Sequence, residues 1–201
     1  MPRHSLEVRR EEILRATVAE ITARGLANVR VSDVAGRLGV SNALVFYHFA
    51  SKEKLISAAY EFAAKRDLHA LAEIAAAGGS ATDRLGAILA FYLPTTNSST
   101  SWELWIDAWG AALRSEEMRR TSRAIDRKWK QEVARVIGAG VDDGEFDCPD
   151  PQASAWRLTA LIDGLAIQLV ANRNGVRRKD VLGWVARAAT DEVGVPVIPL
   201  R

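Results

Sequence analysis

The sequence predicts an all-α fold of nine helices, and three observations carry that prediction. Apolar residues recur at spacings of three and four through most of the chain. No run alternates with period two for long, and there are only six prolines in 201 residues. One stretch, residues 31–49, reads as a helix, a tight turn and a second helix. The single cysteine, Cys148, excludes an internal disulfide and suits a reducing compartment. No apolar run approaches the roughly 18 residues of a membrane span, and the opening MPRHSLEVRREE has no signal-peptide core, so a cytoplasmic protein is expected.

The first helix is expected over about 6–24, where Ile13, Ala16, Thr17 and Ile21 form one inward stripe and Gly25 ends it. Arg9 and Arg10 precede that stripe and Arg3 lies further out. They make either a solvated end or an arm that touches phosphate or the minor groove. Within 31–49, Ser32 or Asp33 starts the first helix, and Val34, Ala35 and Leu38 give it an apolar face. Gly39 suits a left-handed turn, and Ser41 is an N-cap whose hydroxyl accepts an early backbone N–H.

In the second helix of the pair Val45 and Phe49, four apart, face inward. Asn42, Ala43, Leu44, Tyr47 and His48 are left on the outer faces. A short Ser-capped helix that begins with small and polar groups suits a DNA major groove, the alternative being an ordinary helical hairpin. Asn42 can pair bidentately with adenine, and Ala43 and Leu44 can pack on thymine methyls. Ser41, Tyr47, His48 and Lys52 can clamp backbone phosphates, Lys52 beside a helix N-terminus that also favours anions. For His48 the alternative is a partly buried packing histidine. Charge has the right sign: residues 1–54 hold nine Lys and Arg against six Asp and Glu, whereas 55–201 hold eighteen against nineteen.

The segments RREEILRATVAEITARG (9–25), VSDVAGRLGVS (31–41) and VFYHFASKEKL (45–55) resemble the N-terminal domain of the tetracycline-repressor (TetR/AcrR) family. The resemblance runs over 9–60 in order and without gaps. It implies a three-helix helix-turn-helix head on a homodimeric transcriptional regulator that binds a double-stranded DNA operator and answers to a small-molecule effector. Tyr47, His48 and Lys52 match common family residues. Val29 and Arg30 stand where many members carry Thr or Ser, so the cap of the first motif helix is expected to move to Ser32, with Arg30 supplying charge to phosphate. Phe46 replaces a frequent Tyr and removes a hydroxyl. The expected division is a DNA-binding domain over 1–53 and a ligand-binding and dimerisation domain over 54–201, linked by a long helix at about 52–76 with Leu55, Ala59, Phe62 and Ala63 inward.

Gly78-Gly79-Ser80 follows as a loop, and five more helices are expected after it. The first covers about 81–95 and stops near Pro94; the polar run 95–100 is a loop. Next, Trp102, Trp105, Trp109 and Leu113 form one face of a helix at about 101–114. Such a stripe is either plain core or the lining of a cavity. A helix at about 116–137 buries Met118, Ser122, Ile125, Trp129, Val133 and Val136, and Gly138-Ala139-Gly140 is expected to stop it. The loop VDDGEFDCPDP lacks the spacing of a calcium loop. WELWIDAW, RKWKQEV, GEFD and ALIDGL together resemble the betaine-regulator (BetI-like) branch of the same family, which leans towards a quaternary ammonium effector.

Tyr92, Trp102, Trp105, Trp109 and Trp129 would then supply aromatic faces to an organic cation or a flat aromatic molecule. Asp107 would supply charge, with Glu103 beside it, unless both face solvent and the pocket is neutral.

Asp150 caps and Pro151 opens the eighth helix, which is apolar on two faces. Leu158, Leu161, Ile162, Leu165 and Leu169 make the first. Ala153, Trp156, Ala160, Gly164, Ile167 and Ala171 make the second. The ninth, about 179–193, repeats this, with Leu182, Val185, Ala186 and Ala189 on one side and Val181, Trp184 and Ala188 on the other. The second face of each is expected to meet its two-fold mate in a four-helix interface.

No nucleophile elbow, P-loop or HExxH occurs, and the unassigned acids Asp107 and Asp163 make no catalytic pair. His4 and His69 have no partners at metal-ligand spacing. Neither an enzyme, a cofactor nor a metal is implied. The remaining alternatives are a regulator controlled by a partner protein and an enzyme on an all-α scaffold.

Overall fold

Nine α-helices and one 3-10 turn make up the regular structure among the described residues of the computed structural model. Those residues are 3–95, 100–172, 175–195 and 198–200, with side chains described from residue 6 onward and not at 100. The side chains of Arg3 and His4 and most of the polar run 95–100 lie outside them. The helices are α1 (Arg3–Arg24), α2 (Val31–Leu38), α3 (Asn42–His48), α4 (Lys52–Ala76), α5 (Ala81–Tyr92), α6 (Thr100–Ala112), α7 (Glu116–Asp142), α8 (Pro151–Ala171) and α9 (Arg178–Val193). The 3-10 turn is Leu26–Asn28. No described helix is long and apolar enough to cross a membrane.

Local chemistry sets most of the ends. Gly39 takes φ +65° and its N–H closes α2. The Ser41 hydroxyl accepts from Leu44 N–H at 3.3 Å, and the Asp150 carboxylate from Ala153 N–H at 2.9 Å. Such a cap contributes about 0.5–2 kcal/mol. Ser32 does not start α2, however. The helix begins one residue earlier with Arg30 as N-cap, and Asp33 reaches back to accept from Arg30 N–H at 3.2 Å.

Gly138-Ala139-Gly140 does not stop α7 either, because the helix runs on to Asp142. The glycine at 140 serves packing. Its backbone carbonyl accepts from Glu145 and Phe146, and a Cβ there would stand 2.2 Å from the Phe146 ring. The loop so folded delivers the Glu145 carboxylate to the start of α5, where Ala81 and Thr82 N–H donate to it at 2.8 and 3.0 Å.

The chain divides into two compact units, Met1–Arg66 with Glu103–Ile125, and Asp67–Trp102 with Asp126–Arg201. The first takes in more than the three-helix head. Leu26 N–H donates to Asp107 of α6 at 2.9 Å, Tyr60 of α4 meets Trp105 edge to face at 5.3 Å, and the Ser57 and Thr121 hydroxyls lie 2.6 Å apart. Ile13, Val34, Val45, Phe49 and Leu55 are among its buried residues. The second unit buries Leu85, Ile88 and Leu89 of α5, Ile137 of α7, and Leu158, Ile162 and Leu169 of α8.

From α9 it buries Val181, Val185, Ala189 and Val193, each four residues after the last. Val181 is thus 0% exposed in the chain's own core, and it is withdrawn from the outer face that the sequence assigned to it.

Candidate functional site

In the first unit α1 holds both motif helices in place. Glu20, buried on α1, accepts from Arg37 Nε of α2 at 2.6 Å and from Arg24 Nε at 2.8 Å. These two guanidinium bonds, that of Arg37 first, hold the Glu20 carboxyl below the usual carboxylate range although burial opposes them. Arg10 binds the other end of the motif. Its guanidinium lies 4.1 Å over the Phe49 ring and donates to the His48 carbonyl at 2.9 Å, at the C-terminus of α3 where a cation is favoured. The sequence offered Arg10 as a solvated end or a phosphate arm; in the structure it fastens α3.

Around that anchor Asn42 and Ala43 are exposed, Leu44 and Lys52 are half-buried, and Tyr47 is 72% exposed. Tyr47 stands edge-on to the His48 ring at 5.3 Å. Burial, then the charges of Arg10 and Arg9, depress the His48 imidazole below its ordinary value, which favours the uncharged ring. Arg30 and Ser32 are exposed at the start of α2, and Ser41 is exposed at the start of α3. Phe46 presents an exposed ring on α3.

The second unit gathers three of the six residues that the sequence proposed for a ligand. Tyr92 stacks on Trp129 with centroids 4.5 Å apart and planes 18° from parallel. Trp102 tilts against Tyr92 at 5.6 Å, and its indole N–H donates to the Tyr92 carbonyl at 3.1 Å, which fixes one ring against the other. Phe91 stacks on the Trp129 ring at 6.0 Å. Trp105 and Trp109 belong to the first unit, Trp105 against Tyr60. Asp107 is also there and binds the Leu26 amide.

The carboxylate beside the aromatic cluster is instead Asp163 of α8, which accepts from the Tyr92 hydroxyl at 2.6 Å. Sequence reading left Asp163 unassigned. Its signals in the sequence are its place in ALIDGL and a position between the two apolar faces of α8, unusual for an acid. Burial pushes its carboxyl up to about 6, against the Tyr92 hydroxyl and Lys130, with Asp126 adding to the rise. Lys130 itself pairs with Asp126 and lies 3.8 Å over the Trp156 ring.

On the outer side of α8 and α9, Trp156 is 57% and Trp184 50% exposed. Ala160, Gly164 and Ala171 are exposed, while Ile167 and Ala188 are half-buried. Among the described residues no group of three or more His, Cys, Asp and Glu could hold a metal ion.

Residues 13–59 match the family model of bacterial regulatory proteins of the tetR family, and residues 81–194 match that of the BetI-type transcriptional repressor, C-terminal part. The chain belongs to the TetR family, in its BetI type. The HTH-type transcriptional regulator BetI of Stenotrophomonas maltophilia is 31% identical over 170 residues, which cover 82% of this chain and 83% of that one. Its counterpart in Serratia proteamaculans is 27% identical over 178 residues, again 82% and 83%.

Among solved structures, a transcriptional regulator from Saccharomonospora viridis in complex with choline superposes with a TM-score of 0.81 at 28% identity, covering 96% of this chain and 99% of that one. A TetR-family regulator from Rhodococcus sp. gives 0.78 at 28% identity, covering 92% and 98%. Family membership makes this chain a ligand-responsive, DNA-binding transcriptional regulator, and not an enzyme. Regulators of the family bind operators, form dimers and respond to small-molecule effectors.

Proposed function

We propose that this chain binds a palindromic operator as a homodimer through residues 1–53, in the cytoplasm, and releases it when a small quaternary ammonium compound enters the aromatic cluster of the second unit. The observation that carries the effector reading is the cluster itself: Tyr92, Trp102 and Trp129 in mutual contact, with a carboxylate at the Tyr92 hydroxyl. Aromatic faces attract a cation within about 6 Å of the ring centroid, and they do so without needing a hydrogen-bond donor on it. With Tyr92 and Trp129 only 4.5 Å apart, the cation meets the Trp102 side of the cluster or separates the stacked pair. The likeness to the choline-bound Saccharomonospora viridis regulator supports the same reading.

For the operator, Asn42, Ala43 and Leu44 read bases while Arg30, Ser32, Ser41, Tyr47, His48 and Lys52 meet phosphate. The dimer forms through Trp156, Ala160, Gly164, Ile167, Ala171, Trp184 and Ala188. A Cβ added at Gly164 would meet nothing within the chain, so Gly164→Arg tests the partner and not the fold.

Selection from random duplexes should yield a palindrome, and calorimetry with choline should show binding that lowers operator affinity. Lys52→Ala should weaken all sequences and flatten the salt dependence, because a phosphate contact releases counterions. Asn42→Ala should instead relax one base pair, at a cost of about 1–3 kcal/mol in discrimination. Selection without a palindrome, or a neutral aromatic binding where choline does not, overturns the corresponding half.

A further inference from the structure

Asp163 differs from every other acid described around it. Asp126 on α7 has Lys130, whose ammonium also lies on the Trp156 face, so that cation is already matched. Among the described residues no cation lies within ion-pair distance of Asp163. Its one hydrogen bond there is from the Tyr92 hydroxyl, a neutral donor on a ring that forms part of the aromatic cluster. Burial against α5 and α7 disfavours its charged form. The groups that act on it from those helices are the Tyr92 hydroxyl from α5, and Lys130 and Asp126 from α7.

We propose that Asp163 is the specificity-determining group of this site: it makes the site select a permanent cation over a neutral molecule of the same shape, and in mild acid effector binding releases its proton to solvent. This rests on the reading that a quaternary ammonium compound enters the cluster. A tetra-alkylated nitrogen has no N–H, so a hydrogen bond cannot distinguish it from a carbon centre. Charge is what remains: the aromatic faces favour the cation through the ring quadrupole, and a carboxylate adds a full opposite charge to that preference. An opposite charge within about 4–6 Å favours the carboxylate. The step is balanced: a carboxylic acid and a quaternary ammonium ion become a carboxylate–ammonium pair and one proton, which leaves for bulk water.

The sign of the linkage follows. With the carboxyl of Asp163 pushed up to about 6 before binding, the site is ionised at neutral pH and protonated in mild acid. Cation affinity is therefore full above that value and falls below it, by about tenfold between about pH 7.5 and about pH 5. A neutral ligand has no such dependence.

The test uses the full chain without DNA, so that titration in the head does not enter. Calorimetry compares choline with its carbon isostere, the neutral alcohol in which the quaternary nitrogen is replaced by carbon. Wild-type protein should bind choline the tighter and lose about tenfold on acidification, while the isostere is indifferent to pH. Asp163→Asn should bind choline more weakly, without pH dependence and with a smaller preference over the isostere, the part that the aromatic faces supply.

Tyr92→Phe removes the hydroxyl that favours the charged form, so its choline profile should keep its shape and move to higher pH. That arm and the wild-type profile decide the matter if the Asn variant does not fold. An Asp163→Asn protein that keeps both the full preference and the pH dependence overturns the role of Asp163 while leaving the cation reading in place. Wild-type protein that binds choline equally at both pH values overturns the proton release. Wild-type protein that binds neither molecule sinks the proposal and the cation reading together.

Discussion

The head and the aromatic unit each withdraw one carboxylate from water, Glu20 in α1 and Asp163 in α8. Glu20 has two guanidinium partners at 2.6 and 2.8 Å, and its carboxyl lies below the usual range. Asp163 has a hydroxyl at 2.6 Å, and its carboxyl rises to about 6. The two shifts are opposite because two guanidinium bonds outweigh burial at Glu20, whereas burial outweighs the Tyr92 hydroxyl and the Lys130 charge at Asp163. Glu20 is completed within the chain and belongs to the scaffold. Asp163 is left responsive to what arrives from solution.

The largest effect should come from removing the completed charge. Glu20→Ala leaves Arg24 and Arg37 side by side with no anion between them and unties α2 from α1. Operator binding should be lost, and the melting temperature should fall by several degrees, as read by circular dichroism and anisotropy. An operator affinity close to wild type would mean that α2 is held by its apolar face alone.

The second effect is smaller and of opposite sign. The folded carboxyl of Asp163 lies at about 6 against an ordinary value of 3.8. Its contribution to stability is therefore full below about 3.8, declines as pH rises towards about 6, and is level above that, a loss of up to roughly 3 kcal/mol. Glu20 runs the other way: its contribution is full above the ordinary value of 4.5 and is lost only in stronger acid. Asp163→Asn should accordingly stabilise the ligand-free protein against urea at neutral pH, with a gain that shrinks as the solution is acidified towards pH of about 4. A gain that does not change with pH would show that the acid titrates alike in folded and unfolded chains.

Arg10→Lys should give the smallest change. It keeps the charge and loses the planar fork that reaches the His48 carbonyl over the Phe49 ring. Operator affinity should fall by roughly 0.5–1.5 kcal/mol with the salt slope unchanged, in contrast to Lys52→Ala. A reduced slope would return Arg10 to the phosphate backbone.

What the sequence made legible was local. The caps at Ser41 and Asp150, the turn at Gly39 and the inward stripe of α8 follow from neighbours within four residues, whereas Leu113, placed on the α6 stripe by pattern, lies past the end of that helix and is exposed. Where the structure departs from the pattern, the cause lies mostly beyond the stripe of the helix itself, in a loop that folds back or a partner on another element. Gly140 looks like a helix stop until Phe146 folds onto it. Asp107 reads as effector charge by pattern, and in the structure it accepts from the Leu26 amide, 81 residues away. Val181 looks outward by pattern, yet the four-residue register with Val185 and Ala189 turns it inward. Asp163 lies in the ALIDGL segment, but its role is not legible there, since its surroundings come from α5 and α7, distant in sequence.

The two ties that α1 makes have a mechanical consequence. One grips α2 through Glu20 and Arg37, and the other grips the last turn of α3 through Arg10. With both ends of the helix pair fastened to one rod, α3 cannot roll or tip without dragging α1 with it. The head then moves as a single lever. Any adjustment that keeps both ties must move α1, α2 and α3 together, so the position and the tilt of α3 change as one.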